Sequence, residues 1–314
     1  MLDRRLLFVT GKGGVGKTTV AAALASLSAS RGRRTLLCEI DAKGDLADVL
    51  ETQPLTYQPR EVQPRLFAMV MHTEDSLKEY LRLQLRVPFI AKIGPLARAF
   101  DFVASAAPGV KEILTIGKLA HEVRERHYDL VVVDSSATGH VVGQLAAPQA
   151  IRDVVRVGAV RGQVDWILDI LQDREQTGAV IVATPEEMPI VETIELAASL
   201  RADTDVDLAA VIVNQVLPEL FGDREESLFA ALRAPTARRK LIAELGDGVD
   251  SVFDAAQLAV DRRRARAEHI TALHDAMMPS VPLLYLPYLF ARRHGLRTTK
   301  VLASALAAEL GVES

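Results

Sequence analysis

Apolar residues along this chain fall in short unbroken runs rather than in alternation. The runs are "RLLFVT" (5–10), "RTLLCEI" (34–40), "RLFAMVMH" (65–72), "YDLVVVDS" (128–135), "GAVIVAT" (178–184), "LAAVIVNQ" (208–215) and "VPLLYLP" (281–287). Consecutive apolar positions imply strands buried on both faces, as in a parallel sheet covered by helices. The stretches between them have helical length and composition. The pattern therefore predicts a doubly wound α/β fold, with a mostly parallel sheet of about seven strands in a single domain over residues 1–314. Two connections, about 75–127 and 142–177, are too long for one crossover helix and are predicted to be helical insertions forming a subdomain on one side of the sheet. A charged region, 219–278, is expected to be helical and to lie on the surface.

Composition narrows the function classes. The chain has 314 residues, 49% hydrophobic and 25% charged, which is enough to build a substantial core. A net charge of −4 provides no global field for nucleic acid or an anionic membrane. Cys38 is the only cysteine, so no disulfide framework and no thiolate metal cluster can form within one chain. "MLDRRLLFVTGKGG" turns into glycine far short of a signal-peptide core, and no run approaches membrane-spanning length. The expectation is a cytoplasmic protein without stable membrane insertion.

The most specific chemistry is "GKGGVGKT" (11–18), which fits G-x-x-x-x-G-K-[ST] between an apolar strand and the alanine-rich stretch "VAAALASLSAS". Its glycines let successive N–H groups point at phosphates, helped by the positive end of the following helix. Gly11, Lys12, Gly13, Gly14, Val15, Gly16, Lys17, Thr18 and Thr19 are the predicted nucleotide-binding segment. Within it Lys17 neutralises the β and γ phosphates and the Thr18 hydroxyl ligates Mg²⁺ directly. Carboxylates at strand ends complete such a site. Asp134 ends "LVVVD" and is read as holding Mg²⁺ through water, and Asp41, at the end of the strand 34–40, as orienting or deprotonating the attacking water. For both, capping of the next turn is the alternative.

These residues carry a resemblance. "KGGVGKTT" resembles the deviant P-loop of the MinD-related ATPases, whose early lysine reaches the nucleotide of a partner subunit; Lys12 then acts in trans, the alternative being a solvated loop lysine. Within that class the chain is similar to the arsenite-pump ATPase and guided-entry family. "DSSATGH" (134–140) resembles its second switch, preceded by "APGVKEILTIGKL" (107–119), and "TPEEMPIVETIELAASL" (184–200) resembles a further motif. "VIVNQVLPE" (211–219) resembles the motif whose asparagine recognises adenine, which implies that role for Asn214. "VPLLYLPYLFARRHGL" (281–296) resembles the closing strand and the loop over the base, which implies a nucleotide-binding place for Pro287. The resemblance implies ATP and Mg²⁺ as cofactors, catalytic roles for Lys12, Lys17 and Asp41, and a second subunit, either an identical copy or a paralogue.

Departures matter too. The family's first switch reads D-P-A-H, whereas this chain has "DAKG" (41–44), which leaves the rate of hydrolysis open and raises the reading of a weakly active heterodimer subunit. Cys38 alone cannot supply a cysteine cluster for metalloid sensing. The region 253–270 lacks a C-x-x-C, so no zinc is expected. The insertions contain no methionine, unlike a flexible client groove. Leu81, Leu83, Leu85, Val87, Phe89, Ile90, Phe100, Phe102, Trp166, Ile167, Ile170 and Leu171 either line such a groove or form ordinary core. His140 and His294 either contact nucleotide or are structural, and Tyr288 and Phe290 either pack on adenine or close the core. "DRRRARAEH" (261–269) reads as a solvated helix face more readily than as a nucleic-acid patch. The function that best fits is a nucleotide-switched ATPase dimer serving a protein client, with a DNA-bound partitioning scaffold as the alternative from another class.

Overall fold

The computed structural model describes residues 1–40, 44–71, 110–135, 138–155, 157–219, 221–246, 248–291 and 293–313. Eight strands form one sheet: β1 (Leu6–Gly11), β2 (Thr35–Ile40), β3 (Arg60–Gln63), β4 (Leu66–Met71), β5 (Leu130–Asp134), β6 (Thr177–Ala183), β7 (Leu208–Val216) and β8 (Leu283–Pro287). Their spatial order is β3-β4-β2-β5-β1-β6-β7-β8, and every neighbouring pair is parallel except β3 with β4. All seven expected strands are present. The eighth, β3, was missed because its sequence, "REVQ", is half-exposed and polar, as an antiparallel edge strand permits.

Alternate residues of the central strands feed two separate cores, because successive side chains point to opposite faces. Leu6, Phe8, Leu36, Cys38, Val131 and Val133 face one layer, and Leu7, Val9, Leu37, Val132, Val180 and Val182 the other. The second layer is led by α1 (Lys17–Ser30), whose residues Val20 to Ala29 are all buried. Alanine at five of those positions lets the helix approach both the sheet and α10 (Leu296–Glu309), and the Thr35 hydroxyl donates to Ser28 Oγ at 2.9 Å beneath it. A short α2 (Asp45–Val49) packs beside α1.

The first layer contains α3 (Val110–Arg124), α4 (Thr138–Val154), α5 (Ala159–Gln172) and α6 (Glu187–Asp203). Residues 72–109, the greater part of the first expected insertion and all of its groove candidates from Leu81 to Phe102, lie outside the described residues. In the second, Ile167, Ile170 and Leu171 are buried in the main core with Trp166 packed against it, so these four are core rather than groove lining. The charged region is helical as expected: α7 (Asp223–Leu232), α8 (Pro235–Leu245) and α9 (Gly248–Met277). It is anchored by a stack of Phe221, Phe229 and Phe253, with ring centroids 5.7 and 5.5 Å apart, while α8 buries nothing. In "DRRRARAEH", Arg263, Arg264 and Arg266 pair with Glu219, Glu226 and Glu186. Three of the four arginines of that stretch are thereby neutralised within the chain. Among the described residues, no helix is long and apolar enough to cross a membrane.

Leu24 lies at the centre of α1 with no exposed surface. Leu24→Ala is expected to destabilise the fold by about 2–5 kcal/mol, through lost transfer free energy and a residual cavity. Chemical denaturation followed by circular dichroism measures the difference.

Candidate functional site

The turn from β1 into α1 is shaped by what it must pass. Gly11, at φ 146°, runs so close to β6 that a Cβ would meet the Val182 carbonyl oxygen. Gly16, at φ 92°, lies in the left-handed region, and a Cβ there would sit 2.5 Å from Asn214 Nδ2. Between them Val15 is buried, and its carbonyl accepts a hydrogen bond from Asn214 Nδ2 at 2.9 Å. The loop is thus held against β6 and β7 by backbone contact, one apolar anchor and one side-chain amide. Gly16 is the N-cap of α1 without a side-chain cap, and the first turn holds no acid. Helix N–H groups there point outward with the positive end of the dipole, an arrangement that favours an anion.

Two cavities meet at this turn. One, of about 460 Å³, is lined by Gly13, Gly16, Lys17, Thr18, Glu39 and Asp134, with Asp45 and Asp48 from α2 at its side. The other, of about 260 Å³, is lined by Gly14, Gly16, Thr19, Asn214, Pro287 and Tyr288, with His294 also at its wall. Gly14, Gly16 and Thr19 border both, so one elongated ligand can cross from one to the other over the start of α1. Asn214 continues the face of β7 on which Ala210 and Ile212 pack against the layer of Val15 and α1. Just beyond it the strand is irregular: the register with β8 shifts between Val213 and Val216, and Gln215 takes a left-handed backbone (φ 62°).

Asp134 and Glu39 are aligned on neighbouring strands, and both are buried. The Thr18 hydroxyl bonds Asp134, whose Oδ1 has no hydrogen-bond partner. Burial pushes the Asp134 carboxyl up to about 7; the Thr18 hydroxyl and Lys17 oppose the rise, and the charges of Glu39 and Asp45 add to it. The donor set suits a hard cation. Mg²⁺ takes only one or two protein oxygens and fills its remaining positions with water and phosphate. The Thr18 hydroxyl and the Asp134 carboxyl present oxygens beside the cavity, a set compatible with one direct contact and one through water.

Lys17 Nζ donates to the Lys12 carbonyl at 2.9 Å, which curls its ammonium back over the loop. Lys12 itself turns away from both cavities and forms an ion pair with Glu192 on α6. Asp41 and Lys43 lie outside the described residues. His140 is exposed on α4, whereas His294 and Tyr288 border the smaller cavity. Phe290 is 78% exposed and lines a separate apolar cavity of about 270 Å³ with Leu217, Phe221 and Leu258, so it does not close the core. Sequence reasoning missed Glu39, Glu192, Asp45 and Asp48. Glu39 had a signal, being a lone acid inside the apolar run "TLLCEI", whereas Glu192 needed the packing of α6 beside the loop.

The family described as anion-transporting ATPase matches residues 4–167 and 157–259. The ATPase BagA of Mycobacterium tuberculosis is 31% identical over 225 residues, which cover 68% of this chain and 66% of that protein, a little under two thirds of its length. The ATPase GET3 of Podospora anserina is 25% identical over 295 residues, covering 81% of this chain and 84% of the relative. An ATPase ASNA1 homologue of Entamoeba dispar is 27% identical over 251 residues, covering 68% and 76%.

The raised Asp134 carboxyl has a consequence for the ligand-free protein. The folded chain keeps this proton up to about pH 7, whereas the unfolded chain releases it near the ordinary value of 3.8. The folded state binds more protons in that window, so this contribution to stability is complete below pH 3.8 and is lost as pH rises towards 7. Thermal melts of metal- and nucleotide-free protein should show it as a downward slope that Asp134→Asn flattens.

Proposed function

We propose, from the premise that the chain belongs to the anion-transporting ATPase family, that it is a Mg²⁺-dependent ATPase working as a nucleotide-switched dimer for a protein partner. The observation that carries this reading is the pair of cavities meeting over the N-terminus of α1, with Lys17 and Asp134 beside one and Asn214 beside the other. Phosphates occupy the larger cavity, where the N–H groups of residues 13–18 and the Lys17 ammonium bind them. The base occupies the smaller cavity, oriented by Asn214 and bounded by Pro287 and Tyr288.

When bound, Mg²⁺ would supply positive charge to the β and γ phosphates. The Thr18 hydroxyl would hold it directly and Asp134 would hold it through a water. Asp41 orients the attacking water, and the proton of that water passes to solvent or phosphate. Lys12 supplies the remaining positive charge in trans, to the nucleotide of a second subunit, with C₂ pairing as the default geometry. Loss of the γ phosphate releases the loops that it holds and rearranges the helical layer, which is the signal to the partner.

A trans-acting Lys12 must first leave Glu192. That residue sits on α6 next to Val191 and one turn after Met188, apolar side chains that are 45% and 58% exposed and offer a surface for a second copy. A heterodimer with a paralogue is the second reading, favoured by the altered "DAKG" segment. A DNA scaffold is disfavoured by the pairing of Arg263, Arg264 and Arg266 with acids of the same chain.

Turnover per subunit, measured with Mg²⁺·ATP over a wide range of protein concentration, is expected to rise with concentration. Lys12→Ala should abolish the rise while leaving nucleotide affinity within about threefold, since its ammonium serves the other subunit's site. Flat and negligible turnover with tight nucleotide binding would instead favour the paralogue. Glu192→Ala, by freeing Lys12, should lower the protein concentration for half-maximal turnover by about twofold to fivefold, as for a partly exposed ion pair. A loss of turnover at every concentration would place Glu192 in the assembled site instead.

A further inference from the structure

We propose that Glu39 is a second carboxylate of the magnesium site, holding water of the metal's shell beside Asp134, and that it makes nucleotide binding conditional on the metal. This rests on the reading of the cavity as a phosphate site. Glu39 is the only charged residue of β2 and is 4% exposed, in a strand whose other five residues are also buried. The register pairs Glu39 with Asp134 on the adjoining parallel strand. Such strands lie about 4.8 Å apart, and residues in register point to the same face, so the two carboxyls address one volume. That volume is the larger cavity, which both residues line together with Thr18.

Two buried carboxylates side by side are costly unless a cation or protons compensate them. Lys17 is one compensating charge at this cavity, but in a nucleotide complex it also serves the phosphates. A second observation points to a missing ligand: Asp134 Oδ1 is buried without a hydrogen-bond partner. A hydrated divalent cation meets both needs. Mg²⁺ keeps several waters, through which it can be held by carboxylates that do not ligate it directly, and its charge offsets both. Without the metal, a triphosphate entering the cavity brings more negative charge against Glu39 and Asp134. Nucleotide and metal therefore strengthen each other's binding, and the coupling is the same measured from either side.

The test measures the affinity of ADP by calorimetry in Mg²⁺ and in EDTA, for the full chain and for Glu39→Gln, which keeps the shape and removes the charge. Wild-type protein is expected to bind ADP at least about tenfold more tightly with Mg²⁺. Glu39→Gln should reduce that ratio by about fivefold or more, chiefly by improving the affinity in EDTA. Glu39→Asp, which retains the charge, should preserve most of the ratio, and Glu39→Ser carries the same comparison should the glutamine variant not fold. An unchanged ratio in the folded variants overturns the role of Glu39 and leaves the nucleotide site standing. Wild-type protein that binds ADP in neither buffer overturns the site reading and this inference with it.

Discussion

The close seating of the β1–α1 turn against β6 and β7 is the constraint on which the site depends. A phosphate cradle needs several N–H groups aimed at one point, and a loop of glycines has no intrinsic reason to hold them there. Here the reason is external. Gly11 can pass Val182 only because it lacks a Cβ, Gly16 can pass Asn214 for the same cause, and the Asn214 amide holds the Val15 carbonyl from the far side. The glycines permit close approach, and the two strands turn that approach into rigidity. One asparagine joins the turn to the smaller cavity, so the relative placement of the two cavities is set by the same contact.

The electrostatics follow from the same seating. Docked beneath the sheet's carboxyl edge, the start of α1 brings an uncapped helix N-terminus and Lys17 within reach of two buried acids. Each is an unfavourable arrangement alone: a helix end without a cap, and acids away from water. Together they leave a gap between positive and negative walls that a metal–phosphate pair neutralises on both sides. Neither wall alone specifies a nucleotide. The matched pair, with a cavity for a base beyond it, does so much more narrowly.

Legibility in the sequence divided along physical lines. Central strands could be read because burial on both faces leaves unbroken apolar runs such as "LVVVD", while β3 was invisible because an edge strand needs no apolar pattern. The loop could be read because its geometry demands glycine at fixed places, and chemistry at a strand's end, as at Asp134, stands out against apolar neighbours. Glu39 was equally visible as a lone acid in β2, yet its meaning lay in which strand β2 adjoins. Strand order is a property of the fold and is absent from local pattern. The same holds for Glu192, which gains its significance from contact with a residue 180 positions away.

That contact bears on how a switch of this kind stays off. An ion pair with 35% and 28% of its side chains exposed is weak, because water and salt screen it. A strong bond would hold Lys12 permanently, and no bond would leave a cation beside the phosphates of its own chain, where Lys17 already acts. A weak partner on α6 sets an equilibrium that a second, more highly charged partner can win. In the proposed dimer, the nucleotide of the other subunit would be such a partner, since several negative charges outweigh one screened carboxylate. A lysine so placed would there report on two conditions at once, namely the presence of a second subunit and the presence of nucleotide within it. One helix, α6, both retains the lysine and presents Met188 and Val191 outward, so that in the proposed dimer a surface for the second copy would lie beside the ion pair that must open.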